Sequence, residues 1–464
     1  MRRFTCPHYK HVLSQAPRWL LTAAGRWAKT FNWRDALVSL VTRRMSMESR
    51  YILVLGGEFA LRERVLAGAL RASGGMRVLT MAKNRITPTI KFFDGYLPGD
   101  VADEQAVLDA VKEYEKKTGA TPVAAIPMND FTVRSASLLT EYYGLVGNSR
   151  ETIHRCRDKF VMKQLLHEAG LPVPRFAAFS TLEELKNHIT DIGLPVVIKP
   201  REMAGSLGVL KITREEDIEP AFSRSVADVI SLNGESHAPE DLFQVEEYIP
   251  AWQEVSVEVI NQDNYHRAVA VTDKYLGEEP HFVETGHSMP SVHSGNVQLR
   301  DIAERACEAL GIRYGMAHFE ARITPKGEIK IIEVGARTGG DAIMDLIERC
   351  YGINPYELHV RSHLDALKPL SASLMSAGLS AVAFIKAPAG VIEKVTLPAS
   401  LPDYIVNMQI SAKPLDVSKP LESWKTREGS VEFFWPDREP EADFHEHLQV
   451  ADEYARSLFT FRHA

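Results

Sequence analysis

From Tyr51 onward, short apolar runs alternate with amphipathic stretches. "YILVLGG" reads as a buried strand stopped by Gly56-Gly57, and "LRERVLAGALRAS" (61–73) as a helix with one apolar face. "MRVLTMA" and "KFFDGYL" follow as strands, "EQAVLDAVKEYEKKTG" as a helix and "PVAAIP" as a further strand. Strands alternating with helices predict a parallel sheet wound with helices, closing near Gly147. "LGGEFAL" lacks the GxGxxG spacing, which weakens a dinucleotide-dependent oxidoreductase reading.

The pattern then changes. "SRETIHRCRDKFVMKQLLHEAGLPVPRF" predicts one helix stopped at Gly170, with Pro172 and Pro174 just beyond. "LPVVIKP" is an apolar strand with one lysine, and "REMAGSLGVLKI" a small-residue turn feeding another strand. After the polar loop "SLNGESHAPE", the runs "DLFQVEEYIP", "QEVSVEVINQ" and "YHRAVAVTDKYL" succeed one another as strands, which predicts antiparallel pairing. A helix is expected from just after Asp341 to about Cys350. From about Ser371 come the strands "AVAFIKAPAG" and "SVEFFW" and a closing helix ending near Phe459. The expected divisions are a segment 1–46, a wound α/β unit 47–148, a central α+β part 149–368 and a C-terminal α+β region 369–464.

Composition refines this at one place. The chain of 464 residues is 45% hydrophobic and 25% charged, as in ordinary globular proteins, with room for two to four domains. Its net charge of −7 argues against a general nucleic-acid binder. Residues 1–46, however, carry seven Arg and two Lys against a single Asp. Such an arginine-rich, acid-poor segment reads as an incidental extension, a targeting sequence or a partner contact, with Met45 or Met47 as an alternative start. Four scattered cysteines, with no CxxC pair, disfavour a disulfide framework or a zinc site and fit a reducing cytoplasm. No apolar run approaches the length of a membrane span.

The densest chemistry lies in "FEARITPKGEIKIIEVGARTGGD", Phe319 to Asp341. A two-residue loop at Lys326-Gly327, of type I′, would set Glu320 directly opposite Glu333. Carboxylates facing each other across an antiparallel pair repel, so one is protonated or a cation lies between them. Alternation puts His318, Glu320 and Arg322 on one face with Ile331, Glu333 and Gly335, and Phe319 and Val334 on the core side. Arg337 follows on the polar face. Acids beside arginines suit a metal-bound polyphosphate, with Mg²⁺ favoured by oxygen ligands; the plain alternative is a solvated, salt-bridged face.

Lys199 lies inside an apolar strand, where a lysine needs an anionic partner. The turn Ala204–Gly208, including Gly205 and Ser206, offers backbone N–H groups for close approach to phosphates. Lys159 in "CRDKF" stands at a helix start and alone would be an ordinary surface lysine.

Taken in order, "RDK", "VIKP", the small-residue turn, "VEEYIP" with "QEVSVE", and "FEAR" with "EVGAR" resemble the ATP-grasp superfamily from about Tyr51 to Gly340. The resemblance implies a wound α/β domain preceding two lobes that grip ATP, and a homodimer as the expected assembly. It implies that Lys159 and Lys199 bind ATP phosphates under the Gly205–Ser206–Gly208 turn, that Glu246, Tyr248 and Ile249 form the adenine hinge, and that Glu254 meets the ribose. Glu320 and Glu333 would hold Mg²⁺, or Mn²⁺, and Arg337 would meet the transferred phosphate. The chain departs at Gly335, where the superfamily often has an asparagine ligand. "EEPHFVETGHSMPS" resembles the substrate stretch of L-amino acid ligases of the bacilysin type, with Glu284 and His287 at the acceptor site and Asp341 shaping the pocket. This implies an ATP-dependent carboxylate–amine ligase working through an acyl phosphate on small-molecule substrates. The rivals are a carboxylase resembling biotin carboxylase and a non-catalytic ATP-binding regulator.

Overall fold

The structure, a computed structural model, describes residues 49–56, 74–83, 93–203, 205–233, 243–370 and 374–462. The basic segment 1–46, the stretch 61–73 read as a helix, Ala204 and the polar loop beyond Asn233 lie outside the described residues.

β1 (Arg50–Leu55), β2 (Arg77–Ala82), β3 (Gly95–Pro98) and β4 (Thr121–Pro127) form the expected parallel sheet, in the order β3-β2-β1-β4. α1 (Glu104–Thr118) begins where the Asp103 side chain accepts from the Ala106 N–H and ends at Gly119. It packs Val107, Leu108 and Val111 on Tyr51, Leu53 and Leu55, with α2 (Val133–Tyr143) alongside.

The helix expected to run unbroken to Gly170 is two: α3 (Arg150–Arg157) and α4 (Lys159–Glu168). Asp158 between them is extended, its carboxylate accepting from the N–H groups of Phe160 and Val161 and from the Arg201 guanidinium. An aspartate caps more favourably than it continues a helix. This break sets Lys159 at the first position of α4.

β5 (Phe176–Phe179), α5 (Leu182–Ile192), β6 (Val196–Pro200), β7 (Leu210–Ile212), α6 (Ile218–Asn233) and β8 (Phe243–Glu247) make the next lobe. Its sheet, β5-β8-β6-β7, is antiparallel as expected. The strand-by-strand reading did not anticipate α5 and α6, whose Leu185, Ile189, Ile218 and Val229 share the core of this sheet.

The central element is an eight-stranded antiparallel sheet. β9 (Gln253–Gln262), β10 (Tyr265–Leu276), β11 (Glu284–Met289), β12 (Tyr314–Ile323) and β13 (Ile329–Gly335) form one half. α7 (Val297–Leu310), α8 (Ile343–Tyr351) and α9 (Pro355–Ser362) are interspersed. From the C-terminal region, β14 (Gly378–Ile385), β16 (Ile405–Ile410) and β18 (Gly429–Pro436) complete the order β13-β12-β9-β10-β11-β14-β18-β16. β15 (Gly390–Val395), β17 (Val417–Ser418) and β19 (Phe459–Phe461) form a small separate sheet. The closing helix α10 ends earlier than expected (Glu446–Ser457), and Phe459 already belongs to β19. One face of the central sheet buries Val255, Val257, Val259, Phe319, Ala321 and Val334 beneath α4 and α7. Among the described residues, no helix is long and apolar enough to cross a membrane.

The β12–β13 hairpin pairs Glu320 with Glu333 as expected, but by a different route. The loop has three residues, Pro325-Lys326-Gly327, closed by Thr324 N–H to Glu328 O at 2.9 Å and Gly327 N–H to Thr324 O at 2.8 Å. Gly327 has φ +79°, a backbone conformation costly for other residues, but Lys326 before it does not share a positive φ, so a type I′ pair is not used. Ala321 consequently faces Ile331, and a bulge at Ile332 restores the Glu320–Glu333 register. Ile331 therefore lies in the core with Phe319, not on the polar face where simple alternation put it.

Candidate active site

The polar face of the central sheet is organised as rows across the strands. His287 on β11, Lys274 on β10, Glu254 on β9 and Arg322 on β12 are successive cross-strand partners. The next row holds Ser256, Glu320 and Glu333, and the third Glu258, His318 and Gly335. The bulge at Ile332 lets both Ile332 and Glu333 meet the cavity above these rows.

Within the rows, charges are matched closely. The Lys274 ammonium bonds Glu320 and lies 3.6 Å from Glu254 and 3.5 Å from Glu284. Burial would lower its pKa, but Glu320, then Glu284 and Glu254, raise it above the ordinary lysine range. His318 joins Glu258 through Nδ1 (2.5 Å) and Glu320 through Nε2 (2.9 Å). Burial opposes its charge, yet Glu258 outweighs this and the imidazole is pushed up to about 9, so it is cationic at neutral pH. Burial alone would raise Glu320, but Lys274 and His318 hold it well below the usual carboxylate range. Arg322 bonds Glu254 at 2.8 Å and the Ile249 carbonyl at 3.1 Å.

Across the cavity, β6 and β8 supply the lysine and its partner. Lys199 meets Glu246 at 2.8 Å, which answers why an apolar strand tolerates a lysine. The other Glu246 oxygen receives Lys163, itself fully buried, at 3.0 Å, and Lys163 also bonds the Ile331 carbonyl at 3.1 Å. Burial, partly offset by Glu246, pushes Lys163 down to about 8. Lys159 lies 3.6 Å from Glu333 and donates to the Met203 carbonyl at 2.5 Å. The turn that follows has Gly205 and Ser206 in left-handed conformation, and the Ser206 hydroxyl donates to Phe282 O at 3.0 Å. Arg337 donates to Asp130 at 2.9 Å, and Asp130 also accepts from Arg157 at 2.8 Å, so the stretch between β4 and α2 anchors this arginine.

One cavity of about 490 Å³ collects these groups. Lys159, Lys199, Gly205, Ser206, Glu246, Ile249, Glu254, Glu284, His287, Glu320, Glu333 and Arg337 all line it. Two expected residues do not. The Tyr248 ring turns into a second cavity, bonding Glu279 at 2.8 Å beneath Lys211, and Gly208 sits behind the turn against Pro200. At the far end Glu284 and Asp341 meet Arg427, which the sequence reading did not single out, and His287 stands 3.8 Å from Asp341. Lys163, Lys274 and Asp130 were missed as well, and His318 was placed on the polar face without a role. Lys163 carried a signal, one helical turn after Lys159 on an amphipathic segment; Lys274 and His318 carried one in their strand parity.

Glu320 and Glu333 fit a divalent cation by position and chemistry: they are direct cross-strand partners lining the cavity. Lys274 and His318 both bond Glu320 through Oε1, which leaves Oε2 as the oxygen to offer. A β-carbon at Gly335 would lie 3.3 Å from Arg337 Nε, so a larger residue there presses on the arginine.

Fold and sequence agree on the class. Residues 192–345 match the ATP-grasp domain family, and the chain carries an ATP-grasp domain within an ATP-grasp fold. Among individual proteins, alanine–anticapsin ligase of Bacillus subtilis is 28% identical over 267 residues, covering 54% of this chain. The match spans 56% of that relative, little more than half its length. The crystal structure of an L-amino acid ligase from Bacillus licheniformis has a TM-score of 0.70 at 19% identity, over 90% of this chain and 100% of that one. A biotin carboxylase complex from Campylobacter jejuni shares the fold with a TM-score of 0.64 at 19% identity, over 85% and 89% of the two chains.

Proposed function

We propose that this protein is an ATP-dependent ligase joining the carboxylate of one amino-acid-like substrate to the amine of another. The observation that carries the reading is the single cavity in which two lysines, a facing pair of glutamates and Arg337 continue into the Glu284–His287 end. Lys159 and Lys199 would neutralise the ATP phosphates under the Gly205–Ser206 turn, with Ile249 and the backbone of Glu246 along the adenine. Lys163 would hold the Glu246 carboxylate, and Glu254 would face the ribose. Glu320 and Glu333 would hold Mg²⁺ or Mn²⁺, which supplies charge neutralisation and orientation of the phosphates.

In the reaction, a carboxylate oxygen attacks the γ-phosphorus, the β–γ P–O bond breaks and ADP leaves. The amine nitrogen then attacks the acyl carbon, the C–O bond to phosphate breaks and phosphate leaves with its electron pair. Arg337, fixed by Asp130, stabilises charge on the transferred group. Glu284 and His287 face the incoming amine, where the histidine accepts its proton. Closure of the turn over the cavity protects the acyl phosphate from water.

A screen of amino-acid pairs with Mg-ATP tests this, scoring phosphate release and product mass. Pair-dependent phosphate with a condensed product is expected. Release that requires bicarbonate, with no condensed product, would establish the carboxylase instead; ATP binding without turnover on any carboxylate would establish a regulator.

A further inference from the structure

Arg427 enters the site from the C-terminal region, just after a short 3₁₀ turn, Trp424–Thr426, and before β18. Its Nη1 donates to Asp341 at 2.9 Å and its Nη2 to Glu284 at 3.0 Å. The guanidinium carbon stands 3.7 Å from the centre of the Phe384 ring, the side chain is only 8% exposed, and Nε is buried with no hydrogen-bond partner among the described residues. Trp424 packs so closely on the small-residue turn that a β-carbon at Gly205 would lie 2.6 Å from its ring. The segment carrying Arg427 is thus seated against the cavity mouth.

A planar cation between two carboxylates, with an aromatic face beneath it, is the geometry that would recognise a guanidinium or alkylammonium ligand. Here the chain's own side chain fills it. We propose that Arg427 is a positioning and specificity-determining residue: it neutralises Asp341 and orients Glu284 for a single substrate ammonium, and thereby rejects amino acids whose side chain brings a second positive charge. This rests on the amino-acid ligase reading above. Its physical basis is exclusion, since a second cation would meet a buried guanidinium already holding both acids.

Arginine and citrulline are near-isosteres that differ in side-chain charge. Their binding to the full-length wild type and to Arg427→Met, followed by thermal shift in the presence of a non-hydrolysable ATP analogue, tests the proposal. The wild type should favour citrulline. Arg427→Met should move the arginine-to-citrulline preference by about tenfold or more toward arginine, at unchanged nucleotide affinity. Arg427→Lys, which keeps the charge, should retain the wild-type preference and serves alone if the methionine variant does not fold. An unchanged preference in Arg427→Met, an equal loss of nucleotide and amino-acid binding, or a shift toward arginine in Arg427→Lys would overturn it. A wild type that turns over no pair, while Arg427→Met still gains arginine binding, would refute the ligase reading and leave this one standing.

Discussion

Gly335 and Arg337 show how a single side chain decides what a site can hold. The Arg337 side chain passes close to Gly335 and bonds Asp130, so a β-carbon at 335 would press on it. Gly335→Asn is expected to lower turnover by about tenfold through displacement of Arg337, although it would offer the proposed metal another oxygen; steady-state rates with Mg-ATP would check this, and a rate above wild type would show that the extra ligand matters more. Glu333→Gln should lower turnover by about 10²-fold or more while the fold persists; a near-normal rate of phosphate release would remove Glu333 from the proposed metal site. At this scale the sequence was informative where a residue broke its own local pattern, as Lys199 does in an apolar strand. It was silent about partners distant along the chain. Asp130 meets Arg337 across 207 residues and Arg427 meets Glu284 across 143, and no periodicity links such pairs.

Among the elements, the hairpin is instructive because two local departures cancel. A three-residue loop shifts the pairing by one, and the bulge at Ile332 shifts it back, so the facing acids were legible while Ile331 was assigned to the wrong face. Turn type here depends on the φ of Lys326, which is not positive as a type I′ pair requires, and composition alone does not reveal it. The break at Asp158 was legible in principle, since aspartate favours caps over helix interiors. So was α5, whose Thr181 and Glu184 form a capping box. Asp158→Ala removes the cap of α4 and one ion-pair partner of Arg201, at a cost of about 1–3 kcal/mol. The urea midpoint should fall accordingly; an unchanged midpoint would mean that Asp158 does not set the helix break.

Over the whole molecule, the C-terminal region completes the central sheet through β14 on β11 and brings Arg427 onto Glu284. The strands were expected; that they would continue the same sheet was not, because pairing between distant strands leaves no local mark. This region also carries a pH response. His447 is fully buried, stacked on Phe444 with neither ring nitrogen partnered among the described residues, and burial pushes it down to about 3 from 6.5. Burial likewise pushes His363 down to about 4. Between these values and 6.5 the unfolded chain takes up protons that the folded chain does not, so stability falls as pH falls through that window. Asp273, pushed up to about 6 by burial, acts in the opposite sense between 3.8 and 6. His447→Phe should therefore melt at higher temperature than wild type, with a difference that widens below pH 6.5; parallel melting curves across pH would contradict this.

The central claim is that a substrate carboxylate is activated by phosphoryl transfer within this cavity. It is tested most directly by supplying an amino acid labelled with ¹⁸O in its carboxylate, together with Mg-ATP and an amine partner, and determining the mass of the released phosphate. Transfer of one labelled oxygen from carboxylate to phosphate is the predicted result. Unlabelled phosphate, released while the amino acid keeps all its label, would contradict it.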